Sequence, residues 1–489
     1  MVERLIKYPV FIVFIGLIGF PLFWNLDALP LRVFDEARAA VNAQEMLENH
    51  EWLVPHFGRE PDMWASKPPL LIWLQSALIN VIGDNEWAVR LPSAVAGFFT
   101  CLALYFFSVQ HLKKPPLGFI AALVLITIQG YVTIHSTRTG DYDSLLTLFT
   151  TLSGLSLFIF TEERRDKYLL LCILFAALAV LTKGIAGLLF TPAFVMYLLV
   201  RKQLINTLRK PAFYYGVVSF LGPSLGYYFL REVYNPGYLE AIIENELGGR
   251  FLETLGHHNE PFFFYYQRMA NDFLKPWVVW VLIGTVIGLL HSNMRVKRMT
   301  IFSVLMIACF SLVISSAQTK LPWYPVPMYP FFAFLASITV FQLFSLIKES
   351  DFINRFLRWN FMPFLVLFVL FYHPYRWVIK PIINPQEKYW DVEYYSLAYY
   401  LRQIPEDDLQ LNGCFLVQND YDAHNQFYLN KLKKQGVAIT RKNKTELKHD
   451  DLILAYQIEV MDYLQKNYVL EKLNEDEGVS KFKMLSVVN

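Results

Sequence analysis

The sequence predicts an α-helical protein that crosses a membrane many times and carries a small soluble α/β domain at its C-terminal end. Of its 489 residues, 55% are hydrophobic and only 18% are charged, whereas soluble proteins carry about a quarter charged residues. Long uncharged runs fill the chain up to residue 380, after which the composition becomes that of a soluble domain. We therefore expect a membrane domain over residues 1–380 and a soluble domain over residues 381–489.

The first uncharged run covers residues 8–24 and is long enough to cross a bilayer as a helix. We interpret it as a retained helix, because it lacks a small-residue cleavage site before Asp35. Further runs bring the predicted number of membrane-spanning helices to about eleven. These runs are 88–110, 117–135, 143–160, 168–182, 185–200, 212–230, 273–291, 300–316, 323–347 and 359–379.

Basic residues fall on alternate connections between the runs, and the positive-inside rule places those connections in the cytoplasm. The N-terminus is then cytoplasmic, and an odd number of helices sends the C-terminal domain to the outer side. The net charge of +2 gives no indication of a nucleic-acid partner. The basic clusters are Arg4 and Lys7; Lys113 and Lys114; Arg164, Arg165 and Lys167; Arg201, Lys202, Arg209 and Lys210; Arg295, Lys297 and Arg298; and Lys348, Arg355 and Arg358.

The outer connections include two long loops, 25–87 and 231–272. Within the first, residues 70–82 are uncharged but too short to cross and return, so they predict a helix lying in the membrane interface. In the soluble domain, hydrophobic patterning predicts three strands and two helices. The strands are 415–417, 437–440 and 452–455, and the helices are 423–433 and 460–468. Four separated cysteines support neither a disulfide framework nor a zinc–thiolate site.

Asp35 is the first candidate catalytic base, because it opens a polar helix just after the first membrane run. Glu36 follows it, and Arg38 lies one helical turn away on the same face. The alternative is structural: acidic residues at a helix start accept hydrogen bonds from free backbone N–H groups and suit the positive end of the helix.

Two further acids, Asp141 and Asp143, lie at the outer start of an apolar run and have the same capping alternative. Possible cations for an anionic leaving group are Arg38, Lys67, Arg138, Lys183 and Lys320, although we interpret Lys183 as an interfacial anchor. His257 and His258 could bind a metal or take part in loop hydrogen bonds, and shared ligation by adjacent histidines is disfavoured on regular backbone.

Several of these segments resemble one known family. The order of the motifs is similar to that of the ArnT/protein O-mannosyltransferase superfamily, GT-C-fold glycosyltransferases that use polyprenyl-phosphate sugars. The resemblance covers residues 1–350. Its motifs are Phe34–Arg38, Gln44–Leu47, Trp52–His56, Lys67–Pro69, the acidic motif ending at Asp143, Thr182–Gly184, Arg250–Phe251 with His258–Phe262, and Lys320–Tyr324.

The resemblance implies a GT-C-like membrane domain in the bacterial inner membrane with a periplasmic active site. It makes Asp35 the catalytic base, Asp143 a second essential acid and Lys67 a binder of the donor phosphate. It also implies a wider set of donor-phosphate or substrate-binding residues, which adds Glu36, Arg38, Arg138, Arg250, His258, Lys320 and Tyr324.

The sequence departs from the ArnT pattern at a metal site. Ser66 stands where ArnT proteins have an acidic residue, and Glu246-Leu247 stands where they have a Glu-His pair. We therefore expect no resident cofactor, with a divalent metal as the alternative. The additional lumenal repeats of the mannosyltransferases are absent from this sequence.

Together these observations predict a transferase that moves a sugar from undecaprenyl phosphate to a lipid, glycan or protein acceptor, with inversion. The prenyl chain is expected between residues 70–82 and neighbouring helices. Two other classes stay open: a transporter or flippase, which should place ionisable groups near the bilayer midplane, and a non-catalytic envelope assembly protein.

Overall fold

A computed structural model describes residues 2–132, 135–252, 260–350, 361–405, 411–419 and 421–488. The predicted His257 and His258 lie outside these ranges. The membrane part contains helices α1 (Val2–Phe23), α2 (Asp35–Asn49), α3 (Leu70–Ile82), α4 (Glu86–Phe107), α5 (Pro115–Ile126), α6 (Gln129–Val132), α7 (Tyr142–Glu163), α8 (Asp166–Lys183), α9 (Thr191–Val200), α10 (Leu204–Leu208), α11 (Pro211–Tyr234), α12 (Tyr238–Ile242), α13 (Phe264–Arg268), α14 (Val278–Leu290), α15 (Met294–Ser316), α16 (Tyr329–Glu349) and α17 (Met362–Ile383). A two-residue hairpin, β1 (His56–Phe57) and β2 (Glu60–Pro61), lies between α2 and α3.

Each predicted apolar run coincides with a helix, so the membrane-protein class is confirmed. Among the residues that the structure describes, six helical segments are long and apolar enough to cross a membrane. A seventh crossing would be formed by Phe264–Phe273 and Val278–Leu290, which meet at a bend of 107°. The run predicted at 117–135 is shorter than expected because α5 ends at Ile126. The number of crossings stays a prediction.

The interfacial helix predicted at residues 70–82 is α3, with the same bounds. Pro68 and Pro69 precede it, and Gly83 follows it with a φ of 83°, a backbone conformation that favours glycine. Its central side chains pack between α2 and α4: Ser76 donates to the Ala43 carbonyl at 3.0 Å, and Gln75 donates to the Val89 carbonyl at 3.0 Å. This packing brings the loop before α3 against the start of α2.

The C-terminal part is an α/β domain, as predicted, but it has more strands than the sequence indicated. Its elements, within the described residues, are α18 (Val392–Gln403), β3 (Phe415–Leu416), α19 (Ala423–Lys434), β4 (Thr440–Arg441), β5 (Leu452–Ala455), α20 (Ile458–Asn467), β6 (Tyr468–Asp476) and β7 (Val479–Val487). These strands form one sheet in the order β4-β3-β5-β7-β6, with β3 parallel to β4 and β5 and the β6–β7 hairpin antiparallel.

The C-terminal domain packs directly on α2 and the start of α4. The buried Tyr428 hydroxyl accepts from the Leu31 N–H at 3.0 Å and donates to Glu86 at 2.7 Å. Gln44 of α2 donates to the Phe427 carbonyl at 3.1 Å. The domain after α17 therefore lies at the same end of the helices as Asp35.

Because the C-terminal domain and Asp35 lie at the same end of the helices, we expect both to be on the periplasmic side of the membrane. Cysteines introduced at Glu60 and Lys433, both exposed, should react with a membrane-impermeant thiol reagent added to the periplasm, and one at the exposed Asn206 should react only in opened membranes. Of the four native cysteines, only Cys309 is not buried, so it would be replaced by serine in the background. Labelling of Lys433→Cys from the same side as Asn206→Cys would contradict the predicted arrangement.

Candidate active site

The first wall of the site is one face of α2. Asp35, Arg38, Ala39 and Asn42 follow helical spacing and line a small open pocket. The helix begins directly after Phe34, whose φ of 70° and ψ of −118° are strained for a bulky side chain. Phe34 at the N-cap position makes no side-chain capping bond, and Asp35 is the first residue of the helix. Such strain beside a pocket is a common feature of functional sites.

The opposite wall is formed by residues 64–67 and by Tyr142 of α7. The Lys67 ammonium lies 3.3 Å from a carboxylate oxygen of Asp35 and 4.7 Å from the centre of the Tyr142 ring. The Asp35 side chain is 33% exposed and that of Lys67 is 11% exposed. A carboxylate that a solute can reach is thus paired with a cation held on an aromatic face.

Arg38 fixes the loop that carries Lys67. Its guanidinium donates two hydrogen bonds to the Asp62 carboxylate, at 2.8 and 2.7 Å, and Asn42 donates a third at 3.0 Å. Burial would raise the pKa of Asp62, but the hydrogen bonds and charge of Arg38 outweigh it and lower that pKa. From α11, Arg231 donates to the carbonyls of Asp62 and Ala65 at 2.8 and 2.7 Å. Arg38 lines the pocket as predicted, but its charge is largely engaged by Asp62.

Behind the pocket lies a buried ion pair. The Lys183 ammonium, at the end of α8, donates to both oxygens of Asp143 at 2.6 and 2.7 Å. The Lys183 side chain is only 11% exposed, so its interpretation as an interfacial anchor is wrong. The pair is within electrostatic range of Lys67 and Asp35.

The sequence analysis did not find the charged pair of His135 and Asp141. His135 Nδ1 lies 3.0 Å from an oxygen of Asp141, and its ring stacks on Trp323 with a centroid distance of 3.9 Å. Burial favours the neutral imidazole, but Asp141, and more weakly Asp35 and Asp143, raise the pKa of His135 to about 9. The imidazole is therefore a cation at neutral pH. Because the sequence analysis had assigned residue 135 to the apolar run 117–135, it did not consider His135 as a candidate site residue.

Two predicted substrate-binding residues lie away from the pocket. Glu36 is fully buried and accepts from Arg90 at 2.7 Å, from the Gly140 N–H at 2.8 Å and from the Arg32 N–H at 2.6 Å. Arg138 donates to four carbonyls at the end of α1, those of Pro21, Leu22, Trp24 and Asn25. Because the protein itself satisfies both groups, they hold the loops around α1 and α2 rather than line the cavity. Asp143 is not paired with Arg138, since Lys183 donates to both of its carboxylate oxygens.

Of the remaining predicted residues, Lys320 and Tyr324 lie on the segment before α16 and Arg250 follows α12. His258 lies outside the described ranges. Lys320 is buried and donates to the Ala317 carbonyl at 2.6 Å, whereas the Tyr324 ring lies 5.6 Å from the Lys183 ammonium. The backbone of Arg250 belongs to the wide π-helical segment Ile243–Leu252, and its side chain is not described. Gln318 donates its N–H to the Phe251 carbonyl at 3.2 Å, which joins these two motifs.

The residues at the expected metal position do not form a metal site within the described chain. Ser66 Oγ donates to Glu246 Oε1 at 2.6 Å, so the two positions do meet, but as a hydroxyl and one carboxylate. Among the described residues, no group of three histidine, cysteine or acidic side chains could hold an ion. A structural metal usually needs about four protein ligands. This donor set therefore does not fit a resident zinc ion.

Comparison with known proteins agrees with the motifs. A family model described as dolichyl-phosphate-mannose-protein mannosyltransferase matches residues 66–224. An undecaprenyl phosphate-alpha-4-amino-4-deoxy-L-arabinose arabinosyl transferase of Aeromonas hydrophila is 27% identical over 364 residues, covering 71% of this chain and 64% of the relative. The same transferase of Aeromonas salmonicida is also 27% identical, covering 68% and 60%. The chain thus spans less than two thirds of the length of these relatives.

The fold is similar to that of two solved membrane proteins. ArnT from Cupriavidus metallidurans, crystallised with undecaprenyl phosphate, superposes with a TM-score of 0.69 at 15% identity over 98% of both chains. The oligosaccharyltransferase of Archaeoglobus fulgidus gives a TM-score of 0.54 at 12% identity, covering 88% of this chain and 64% of that one. The predicted GT-C-like fold with its C-terminal α/β domain is thereby confirmed. In the order of its motifs, in its family-model match and in its fold, the chain is thus similar to the ArnT/protein O-mannosyltransferase superfamily of GT-C-fold glycosyltransferases.

Proposed function

We propose that this protein transfers a sugar from an undecaprenyl-phosphate-linked donor to an acceptor at the periplasmic face of the bacterial inner membrane. The observation that carries the proposal is the 3.3 Å pair of Asp35 and Lys67 in an open pocket beside the interfacial helix α3. A sugar phosphate is already activated, so the transfer needs no nucleotide. The pocket thus offers a base and a phosphate-binding cation at the membrane surface.

Asp35 is the proposed base. Its carboxylate removes the proton from an acceptor hydroxyl as that oxygen bonds to the anomeric carbon of the sugar. The bond between the anomeric carbon and the phosphate oxygen breaks on the opposite side, and the polyprenyl phosphate leaves with both electrons. A single displacement of this kind inverts the anomeric carbon. General-base assistance of this type is worth about 10²–10⁴-fold in rate.

Lys67 is the proposed phosphate-binding residue. In the free protein its ammonium is paired with Asp35. When the donor binds, its phosphate would attract Lys67 away from Asp35 and leave the carboxylate free to accept the proton of the acceptor hydroxyl. The ammonium would then stabilise the charge that grows on the leaving phosphate.

Two charged pairs lie behind the pocket, Lys183 with Asp143 and His135 with Asp141. They contribute to the electrostatic potential at the site of the proposed reaction. Lys183 and His135 are cations, and each is balanced by its own carboxylate, Asp143 or Asp141. Asp141 and Asp143 lie at the beginning of α7 rather than at its middle. That placement favours a transferase over a flippase, which would use ionisable groups near the midplane.

Transfer from a synthetic undecaprenyl-phosphate sugar by the purified protein in nanodiscs tests the proposal. Candidate acceptors include lipid A, another glycan, a lipid and a protein. Expected results are release of free undecaprenyl phosphate and a glycosylated acceptor of inverted configuration. Accumulation of a lipid-linked sugar in a deletion strain would identify the donor. Movement of intact donor across the bilayer without cleavage would overturn the proposal in favour of a flippase.

Lys67→Ala should weaken donor binding as well as turnover, because the ammonium contacts the phosphate before and during the reaction. We expect the donor Kd to rise about tenfold or more, since a hydrogen bond to a charged group contributes about 1.5–3 kcal/mol. Binding would be measured by titrating the donor into nanodisc-embedded protein. Lys433→Ala, at an exposed lysine of α19, is the matched control and should leave the Kd unchanged. An unaltered Kd in Lys67→Ala would exclude Lys67 as the phosphate ligand.

Activity should survive chelator treatment. With Ser66 and Glu246 joined by their own hydrogen bond, we expect purified protein to hold less than about one zinc ion per chain. Elemental analysis and transfer assays before and after dialysis against a chelator measure both quantities. Stoichiometric zinc whose removal stops transfer would contradict this expectation.

A further inference from the structure

A second cavity lies apart from the candidate active site, against the last turns of α17. It has a volume of about 590 Å³, and its surface is almost wholly apolar. The residues that line it are Pro276, His373, Pro374, Arg376, Trp377 and Lys380. None of them contributes to the pocket of Asp35.

The cavity is built by one stripe of α17 and one bend of the chain. His373, Trp377 and Lys380 are spaced by one helical turn each, and Arg376 lies beside Trp377 on the same face. Pro276 closes the cavity from the segment between residues 273 and 278, where the chain turns by 107°. The bent helix pair beside α17 leaves the space that close helix packing would otherwise fill.

The cavity lies in the membrane part of the protein, near the end that carries the active site. It occupies the last turns of a membrane-spanning helix, and Asn25, just beyond α1, donates to the Ile382 carbonyl at 3.2 Å. The bilayer-facing surface of α17 is apolar, with Phe368 63% exposed and Trp377 48% exposed. Tryptophan at such a depth is typical of the zone where lipid headgroups meet their chains.

Among the residues that the structure describes, no acidic side chain pairs with the basic groups at this cavity. Arg376 and Lys380 are both exposed and four residues apart on α17. Within the described part of the chain, no ion pair or side-chain hydrogen bond involves either of them. The carboxylate of Glu387, which follows α17, is bound by Arg32 at 2.7 and 2.8 Å. Two uncompensated cations above an apolar cavity form a surface complementary to an anion with an apolar tail.

We propose that this cavity binds an anionic phospholipid of the bilayer, with its phosphate between Arg376 and Lys380 and an acyl chain along Trp377 and Pro276. The apolar wall favours a lipid over a free phosphate ion, which would leave the cavity unfilled. The two cations favour an anionic headgroup over a zwitterionic one. This site is separate from the proposed transfer reaction and does not depend on it.

Native mass spectrometry of the whole protein, released from equimolar phosphatidylglycerol and phosphatidylethanolamine, tests the proposal. Wild type should retain phosphatidylglycerol with about 25-fold preference, since each of the two cations at a membrane surface contributes about a factor of five. Arg376→Gln with Lys380→Gln should abolish the preference, whereas Arg376→Lys with Lys380→Arg should keep it. Lys202→Gln with Arg209→Gln removes two exposed cations elsewhere and should also keep it.

Equal retention of both lipids by wild type would overturn the proposal, as would unchanged preference in the double glutamine variant. Displacement of phosphatidylglycerol by inorganic phosphate would assign the site to a free anion, and stronger retention of undecaprenyl phosphate would assign it to the carrier lipid; both would overturn the phospholipid assignment. This experiment measures lipid retention and not transfer activity. A negative result would therefore overturn the lipid site without bearing on the proposed transfer reaction.

Discussion

Asp35→Asn should lower the single-turnover rate by about two orders of magnitude or more while leaving donor binding largely intact. Asparagine keeps the size of the side chain and one oxygen that can accept from Lys67, but it cannot remove a proton at neutral pH. Because Asp35 is the first residue of α2, we expect the free energy of unfolding to change by about 1 kcal/mol or less, as in a conservative exchange at a helix start. The rate would be followed with a synthetic undecaprenyl-phosphate sugar and compared with a thermal unfolding curve.

Two variants make this result specific. Glu60→Gln removes an exposed carboxylate of the neighbouring hairpin and should leave the rate unchanged. Asp35→Glu keeps the carboxylate with a longer side chain and should recover part of the rate. If Asp35→Asn unfolds many degrees lower and keeps most of its turnover, the acidic helix start is structural and the catalytic interpretation of this loop is wrong.

The helices of the membrane part could be predicted from sequence because each is indicated by neighbouring residues alone, without knowledge of distant contacts. Uncharged runs bounded by basic residues mark helices wherever they pack, and α3 was predicted to the residue because Pro69 and Gly83 border it. The β6–β7 hairpin was missed for the opposite reason. Residues 471–476 of the edge strand β6 are all exposed, so the strand lacks the alternation of buried and exposed residues that indicates a strand.

The candidate site was predictable only in part, since its partners are distant in sequence. Helical spacing placed Asp35 and Arg38 on one face, and family resemblance singled out Lys67 among the candidate cations as the binder of the donor phosphate. The partner of Asp143, however, is 40 residues away on α8, and a lysine at the end of an apolar helix also fits an interfacial anchor. Glu36 was assigned to substrate binding as part of the set that the resemblance implies, but the position after Asp35 on a helix faces a different direction, and Glu36 is buried against Arg90.

The Asp143–Lys183 pair should have the largest effect on stability. Both side chains are buried in the membrane part, so removing one partner leaves an uncompensated charge in a region of low polarity. Asp143→Asn and Lys183→Met should each lower the free energy of unfolding by about 3–5 kcal/mol. Asp143→Leu combined with Lys183→Met should recover much of that stability, because an apolar pair has no charge to desolvate.

The same helix provides the matched control. Asp166 at the other end of α8 pairs with Lys210 at 2.7 Å, but these side chains are 46% and 30% exposed. Lys210→Met should therefore cost about 1 kcal/mol or less. Unfolding would be followed in nanodiscs for all variants, with single-turnover transfer measured beside it. If the apolar double variant regains stability but not transfer, the pair serves the reaction through its charges; if transfer returns with stability, Asp143 and Lys183 hold the fold, and the predicted role of Asp143 as an essential acid is wrong.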